Sequence, residues 1–229
     1  MFYIVGTPIG NMQDASMRMV KALVHVDIIL VEDAQSFDSF YKNIQELFNL
    51  HPQKSQKIIH FHKENEFELL PQVLNLLQED KNIALVSESG MPTVCDPGSL
   101  LLTCAVKENI SYTVIPGPTA FVNACVLSGF STKNLLFLGF LPKKQFQLLQ
   151  LINKLKSMGK MLIDLTVVFY ESPHRINHTL TIIDEVLPNN EICICREMTK
   201  KFEEVIRGKA HELLNYTYKG ELAVVIRAS

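Results

Sequence analysis

Four short segments combine residue types that can hold a polar ligand: Gly6-Thr-Pro-Ile-Gly-Asn11, Glu32-Asp33, Ser87-Glu-Ser-Gly-Met-Pro-Thr-Val-Cys-Asp-Pro-Gly98 and Pro116-Gly-Pro-Thr-Ala120. Each follows a short apolar run that reads as a strand, and open α/β sheets bind ligands beyond the carboxyl ends of their strands. Gathered at one rim, the segments would offer backbone amides, small hydroxyls and carboxylates. Plainer readings stand beside this one. Asp96-Pro97-Gly98 has the form of a helix start, with Asp96 as N-cap and Pro97 in the first helical position. Glu32 and Asp33 could simply end a strand in solvent. The third segment is twelve residues long, against ~2–6 for most loops in α/β units, which favours a ligand role for it.

Other chemistries find little support. No G-x-x-x-x-G-K-[ST] or G-x-G-x-x-G occurs, and no nucleophile elbow, which weakens ATPase, kinase, nicotinamide-enzyme and Ser/His-hydrolase readings. His60 and His62 share one face of an expected strand, and His174 and His178 one face of an expected helix. Each pair lacks a third and fourth ligand, so no metal is expected. Cys193 and Cys195 alternate with isoleucines and read as small core residues. In Phe169-Tyr-Glu-Ser-Pro-His-Arg175, Ser172 and Pro173 look like a helix start. His174 and Arg175 would then sit against the helix dipole, a cost of about 0.3–1 kcal/mol that suggests a use for those side chains.

The elements that must position these residues follow from periodicity. Apolar runs at Tyr3–Val5, Ile28–Val31, Lys57–Phe61, Ile83–Val86 and Tyr112–Ile115 alternate with helical patterns near 15–24, 37–49, 65–79 and 99–108. That alternation predicts a mainly parallel sheet covered on both faces. Pro116-Gly117-Pro118 interrupts it. A second series has strands at Leu135–Phe140, Val167–Tyr170, Ile192–Cys195, Glu204–Ile206 and Leu222–Ile226, and helices near 119–128, 144–158, 174–186 and 209–216. Consecutive strands there predict a mixed sheet. The expected organisation is two α/β domains, residues 1–117 and 118–229.

The chain has 229 residues and 47 % apolar content, enough for a sizeable core. No apolar run reaches the ~18 residues of a membrane span, and no signal peptide is visible. Five cysteines without a framework spacing suggest reduced thiols and a cytoplasmic setting. Net charge is −2, but residues 1–118 carry 8 Lys and Arg against 14 Asp and Glu, whereas residues 119–229 carry 14 against 10. A nucleic-acid surface would therefore draw on the second half.

Nine segments in order resemble the class III, tetrapyrrole-methylase-like, methyltransferases, and within them the ribosomal RNA small subunit methyltransferase I family. They are Tyr3-Ile-Val-Gly-Thr-Pro-Ile-Gly-Asn11, Glu32-Asp33, Ala84-Leu-Val-Ser87, Asp96-Pro-Gly98, Pro116-Gly-Pro118, Gly139-Phe-Leu-Pro142, Phe169-Tyr-Glu-Ser-Pro-His-Arg175, Arg196-Glu-Met-Thr-Lys200 and Gly220-Glu221. The resemblance implies two α/β domains with S-adenosylmethionine in the cleft between them, a homodimer, and methyl transfer to the 2′-oxygen of a cytidine in small-subunit (16S) ribosomal RNA. It places cofactor contacts at Pro8, Ser87, Glu88, Ser89, Gly90, Pro92, Asp96, Pro116, Gly117, Pro118, Thr119 and Ala120. This chain departs from the family at Ala34-Gln35, where Thr-Arg is usual, and in Ser87-Glu-Ser-Gly-Met-Pro92, where Ser-Asp-Ala-Gly-Thr-Pro is usual. Longer members also continue past the last strand into a small helical extension.

On that reading the chain holds donor and acceptor in line at ~3–3.5 Å. Glu32, Asp33 and Glu88 are the candidates to orient or deprotonate the hydroxyl, with Glu171 on a second-domain loop as a further acid. Lys143, Lys144, His174, Arg175, Lys200 and Lys201 are the candidate RNA contacts, phosphate charge being the main sequence-independent attraction. Two rivals share the fold: a methylase of a tetrapyrrole or other small molecule, and a non-catalytic member that binds cofactor or RNA.

Overall fold

The computed structural model describes residues 1–228 and divides the chain into two compact units, Met1–Thr119 and a second beginning at Ala120. In the first unit, strands β1 (Phe2–Val5), β2 (Ile28–Val31), β3 (Lys57–His60), β4 (Ile83–Val86) and β5 (Tyr112–Ile115) alternate with helices α1 (Met17–His25), α2 (Ala34–Phe48), α3 (Glu66–Gln78) and α4 (Ser99–Lys107). All strand pairs are parallel, in the order β3-β2-β4-β1-β5. β2 and β4 are buried along their whole length, as expected for parallel strands covered on both faces. Met19, Leu23, Phe37 and Ile44 of α1 and α2 pack on one face, and Val73, Leu77, Leu101 and Ala105 of α3 and α4 on the other.

The order has a functional consequence. The chain leaving β1 crosses toward β2, while the chain leaving β4 crosses the opposite way toward β5. β1 and β4 are neighbours, so the crevice beyond their carboxyl ends is the topological switch point.

In the second unit, α5 (Ala120–Ser128), β6 (Asn134–Phe140), α6 (Gln145–Met161), β7 (Leu165–Glu171), α7 (Ile176–Val186), β8 (Ile192–Arg196), β9 (Glu204–Gly208), α8 (Ala210–Leu213) and β10 (Leu222–Ala228) follow in turn. The sheet order is β6-β7-β10-β8-β9, with β6 parallel to β7 and the other pairs antiparallel. The first sheet is thus parallel and the second mixed, as the patterns indicated. One face of the second sheet packs Phe169, Ile194, Val224 and Ile226 under α6 and α7. Ala124 and Cys125 of α5 are buried, and a Cys195 thiol contact of 3.9 Å to the Ala124 carbonyl ties β8 to α5 on the opposite face. All five cysteines are free thiols. Among the described residues no helix is long and apolar enough to cross a membrane.

Two helix starts differ from the sequence expectation. α4 begins at Ser99 with Gly98 at its N-cap, not with Asp96 and Pro97. Its cap comes from elsewhere in the chain: Glu66 Oε1 accepts from the amides of Gly98, Leu100 and Leu101 at 3.1–3.3 Å. α7 begins at Ile176, because Pro173–Arg175 first form a turn in which the Arg175 and Ile176 amides both donate to the Ser172 carbonyl. His174 and Arg175 therefore precede the helix rather than occupy its first turn. Glu171, expected on a loop, ends β7 and is buried.

Candidate active site

The four ligand segments do follow β1, β2, β4 and β5, and in a parallel sheet that places them at one rim. Three of them are bound to one another. The Thr7 amide donates to the Gly90 carbonyl at 2.8 Å. The Thr7 hydroxyl, 1 % exposed, reaches the carbonyls of Ser87 and Gly90, and the Ser87 hydroxyl donates to the same Gly90 oxygen at 2.9 Å. The Gly6 amide donates to the Ile115 carbonyl, and the Gly117 amide meets the Met91 sulfur at 3.3 Å. Met91, standing where the family usually has Thr, thus joins the loop after β4 to the turn after β5 by its soft, weakly accepting thioether.

The 87–98 loop is held in a costly shape. Gly90, Thr93, Cys95 and Gly98 all have positive φ. Thr93, at φ +71°, is β-branched and sits where such residues rarely go, a strain of about 1–3 kcal/mol that surrounding structure must over-determine. Glu66 fixes the loop's far end through its three amide contacts, and the carboxylate also complements the positive end of α4. Sequence carried no signal for this clamp, which comes from thirty residues upstream.

The carboxylates divide by role. Asp33 is the N-cap of α2, accepting from the Ser36 amide at 2.6 Å. Glu32, Asp33, Ser87 and Glu88 line one shallow pocket with Val86 and Phe40. Asp96, read from sequence as a cap, does not cap α4; its carboxyl is a perturbed acid on the rim. Burial, the charges of Glu32 and Glu88, and only partial relief from a Ser87 hydrogen bond push its pKa up to about 6. Pro8 and Pro92 are buried in the rim, whereas Ser89 and Pro116 are exposed. Pro118, Thr119 and Ala120 are half-buried. Across all four segments there are four acidic side chains and no Lys or Arg. That donor set suits a cationic ligand and repels phosphate.

The candidate RNA residues lie in the second unit. Leu222, first in β10, pairs with Glu171 on one side and Arg196 on the other, so the carboxyl ends of β7 and β8 share a rim; β6, parallel to β7, ends there too. Lys143 and Lys144 follow β6, His174 follows β7, and Lys200 and Lys201 follow β8. Lys143, Lys144, His174 and Lys201 are exposed. Arg175 is largely spent on structure: its guanidinium donates to the carbonyls of Leu141 and Pro142 and lies 3.6 Å from the buried Glu171 carboxylate. Glu171 also accepts from the Thr179 hydroxyl at 2.6 Å and the Ser172 amide at 2.8 Å. Lys200 is held between Glu197 and Glu221 at 3.2 and 2.9 Å. Among the described residues no group of three or more His, Cys, Asp or Glu could hold a metal ion.

Residues 1–214 match the Tetrapyrrole (Corrin/Porphyrin) Methylases family. The chain belongs to that family. It is a methyltransferase by that membership, and it groups there with proteins named ribosomal RNA small subunit methyltransferase I. The one from Thermotoga maritima is 37 % identical over 227 residues, 97 % of this chain and 96 % of that protein. The one from Halalkalibacterium halodurans is 36 % identical over 231 residues, 99 % of this chain and 75 % of that protein. Solved structures share the fold at lower identity. The methyltransferase CobJ superposes with a TM-score of 0.70 at 17 % identity, covering 98 % of this chain and 92 % of CobJ. A diphthine synthase gives 0.69 at 15 %, covering 99 % and 89 %. At such identities the likeness speaks for the fold alone.

Proposed function

We propose that this chain is a cytoplasmic enzyme, acting as a homodimer, that transfers a methyl group from S-adenosylmethionine to the 2′-oxygen of a cytidine in small-subunit (16S) ribosomal RNA. The observation that carries this reading is the 37 % identity with the Thermotoga maritima protein along nearly the whole of both chains. The fold alone would serve a tetrapyrrole methylase equally well.

When bound, S-adenosylmethionine supplies an electrophilic methyl on a positively charged sulfur. The acidic, lysine-free rim of the first unit fits such a cation, and its candidate contacts are Pro8, the Ser87–Pro92 loop, Asp96 and residues 116–120. Thr7, Ser87 and Gly90 fix that rim through their mutual hydrogen bonds, and Gly6 through the Ile115 carbonyl. The rim is thus held in place before the cofactor arrives, as alignment of donor and acceptor at ~3–3.5 Å requires. A ribose hydroxyl is a weak nucleophile, and a carboxylate that accepts its hydrogen contributes ~10²–10⁴-fold. Glu32 and Glu88 are best placed for that role, since Asp33 already caps α2. The basic rim of the second unit holds phosphates of the small-subunit RNA through Lys143, Lys144, His174 and Lys201, with Arg175 and Lys200 shaping the loops that carry them.

The test is transfer of labelled methyl from S-adenosylmethionine to purified small ribosomal subunits that lack the modification. Activity on RNA that falls steeply with salt supports the reading, because phosphate contacts release counterions. Activity confined to a tetrapyrrole overturns it in favour of the small-molecule branch. Cofactor binding with no turnover on either overturns it in favour of a non-catalytic member.

A further inference from the structure

β6 carries one extra residue against β7. Phe137 pairs with Val168 and Phe140 with Tyr170, three residues against two, and Gly139 takes φ +61° inside the irregularity. In a regular strand, side chains three apart point to opposite faces. The bulge cancels that alternation and re-aims Phe140, so that Phe137 and Phe140 both pack on the ring of Tyr170, at 5.2 and 5.6 Å between centroids. Phe121 of α5 stacks on Phe137 at 4.2 Å, and its amide donates to the Tyr170 hydroxyl at 3.2 Å. Three of the four rings are thereby partly covered. Phe140, the outermost, is 63 % exposed.

A large ring held mostly in the open by a backbone irregularity has a cost in water that its one ring contact, with Tyr170, offsets only in part. Its surroundings say what would cover it. The 141–144 loop begins at the next residue, is pinned to the 172–175 turn by Arg175, and carries exposed Lys143 and Lys144, with exposed His174 on the facing turn. An open aromatic face beside exposed cations matches an unpaired nucleic-acid base, stacked on the ring while its phosphates meet the lysines. Lys200 and Lys201 lie beyond β10, about three strand spacings or ~14 Å along the same rim, within reach of neighbouring phosphates.

We propose that Phe140, supported by Tyr170, is a stacking platform for an unpaired base of the RNA substrate, placed there by the bulge at Gly139. This rests on the RNA-methyltransferase reading and names the part of the substrate that the second unit grips: single-stranded, not duplex, RNA.

The experiment measures fluorescence anisotropy of a labelled single-stranded oligocytidylate of about ten nucleotides, a length within the usual single-strand footprint. Wild type, Phe140→Ala, Phe140→Trp and the pair Lys143→Ala with Lys144→Ala are titrated over a range of salt. Calorimetry with S-adenosylhomocysteine is run on the same preparations, together with their oligomeric state. Phe140→Ala should weaken RNA binding about 5- to 150-fold, the range of base–aromatic stacking, with an unchanged salt slope and unchanged cofactor affinity. Phe140→Trp should restore binding. The lysine pair should instead flatten the salt slope. RNA binding by Phe140→Ala equal to wild type overturns the platform while leaving the enzyme reading intact. Loss of cofactor affinity, or a change of oligomeric state, in Phe140→Ala also overturns it, assigning the ring to the cofactor or to a second copy. Failure of the wild type to bind RNA removes the enzyme reading and the platform with it.

Discussion

Gly6 and Gly117 touch through their backbones: a β-carbon on Gly6 would stand 2.6 Å from the Gly117 nitrogen, and one on Gly117 would stand 2.6 Å from the Gly6 carbonyl carbon. Neither residue has a positive φ, so the requirement is space and not backbone conformation. This close approach brings the segment after β1 against the turn after β5, beside the switch point. Gly6→Ala must push the two apart at an overpacking cost of about 1–3 kcal/mol. Urea denaturation should register that loss, and calorimetry should show S-adenosylhomocysteine binding at least about tenfold weaker, the equivalent of ~1.4 kcal/mol.

Glu66 is the second lever on the same rim, acting through the 87–98 loop. Glu66→Ala removes the acceptor of three amides and a charge at the start of α4. A lost cap costs about 0.5–2 kcal/mol, read as a lower urea midpoint with an unchanged slope. Because the loop loses its anchor, cofactor affinity should fall by more than global stability alone would produce. Glu66→Gln keeps an acceptor oxygen and should recover most of both.

Asp96 gives a pH signature. Its carboxyl has a folded pKa of about 6 against an unfolded 3.8, so between those values the folded state holds more protons than the unfolded state. Stability therefore falls as pH rises through that window, and the ionised group is a burden above it. Asp96→Asn should raise the melting temperature near pH 7, with the difference from wild type shrinking as pH drops and vanishing below about 3.8. Thermal melts from pH 3 to 8, roughly spanning both pKa values, check the sign. A variant less stable than wild type at pH 7 would contradict the burial account.

The segments that carry the site were legible because their chemistry is local. Thr7, Ser87, Gly90 and Gly117 occur in loops after apolar runs, and both sheets followed from the 2- and 3.6-residue patterns. What escaped was set by contacts between distant segments. Asp96 looked like a cap because Asp-Pro-Gly usually is one, yet Glu66 from α3 took that task and left Asp96 among Glu32, Glu88 and Ser87. His174 and Arg175 looked like first-turn residues opposed to a helix dipole, whereas both precede α7 and the Arg175 donors hold the 141–142 carbonyls. The bulge at Gly139 was invisible, since only pairing with β7 reveals the extra residue.

The carboxylates lining the rim pocket should separate under conservative change. Asp33→Asn keeps the cap on α2, Asn and Asp being about equal there, and should leave turnover near normal. Glu32→Gln or Glu88→Gln removes a charge that the reacting hydroxyl would use. One of them should lose about 10²-fold or more in single-turnover rate while binding S-adenosylhomocysteine nearly as wild type does, the mark of an interaction made in the transition state. Normal rates in both would shift the role to Asp96.

The central claim is the acceptor atom. Small ribosomal subunits lacking ribose methylation should be incubated with the purified chain and labelled S-adenosylmethionine, the RNA then digested and the labelled nucleotide mapped. The account predicts a single labelled site, a cytidine's 2′-O-methyl derivative resistant to alkaline cleavage on its 3′ side, with labelling slowed about 10²-fold or more when the more damaging of Glu32→Gln and Glu88→Gln is used. Label on a base carbon or nitrogen, on protein, or on an added tetrapyrrole with none on RNA would contradict it.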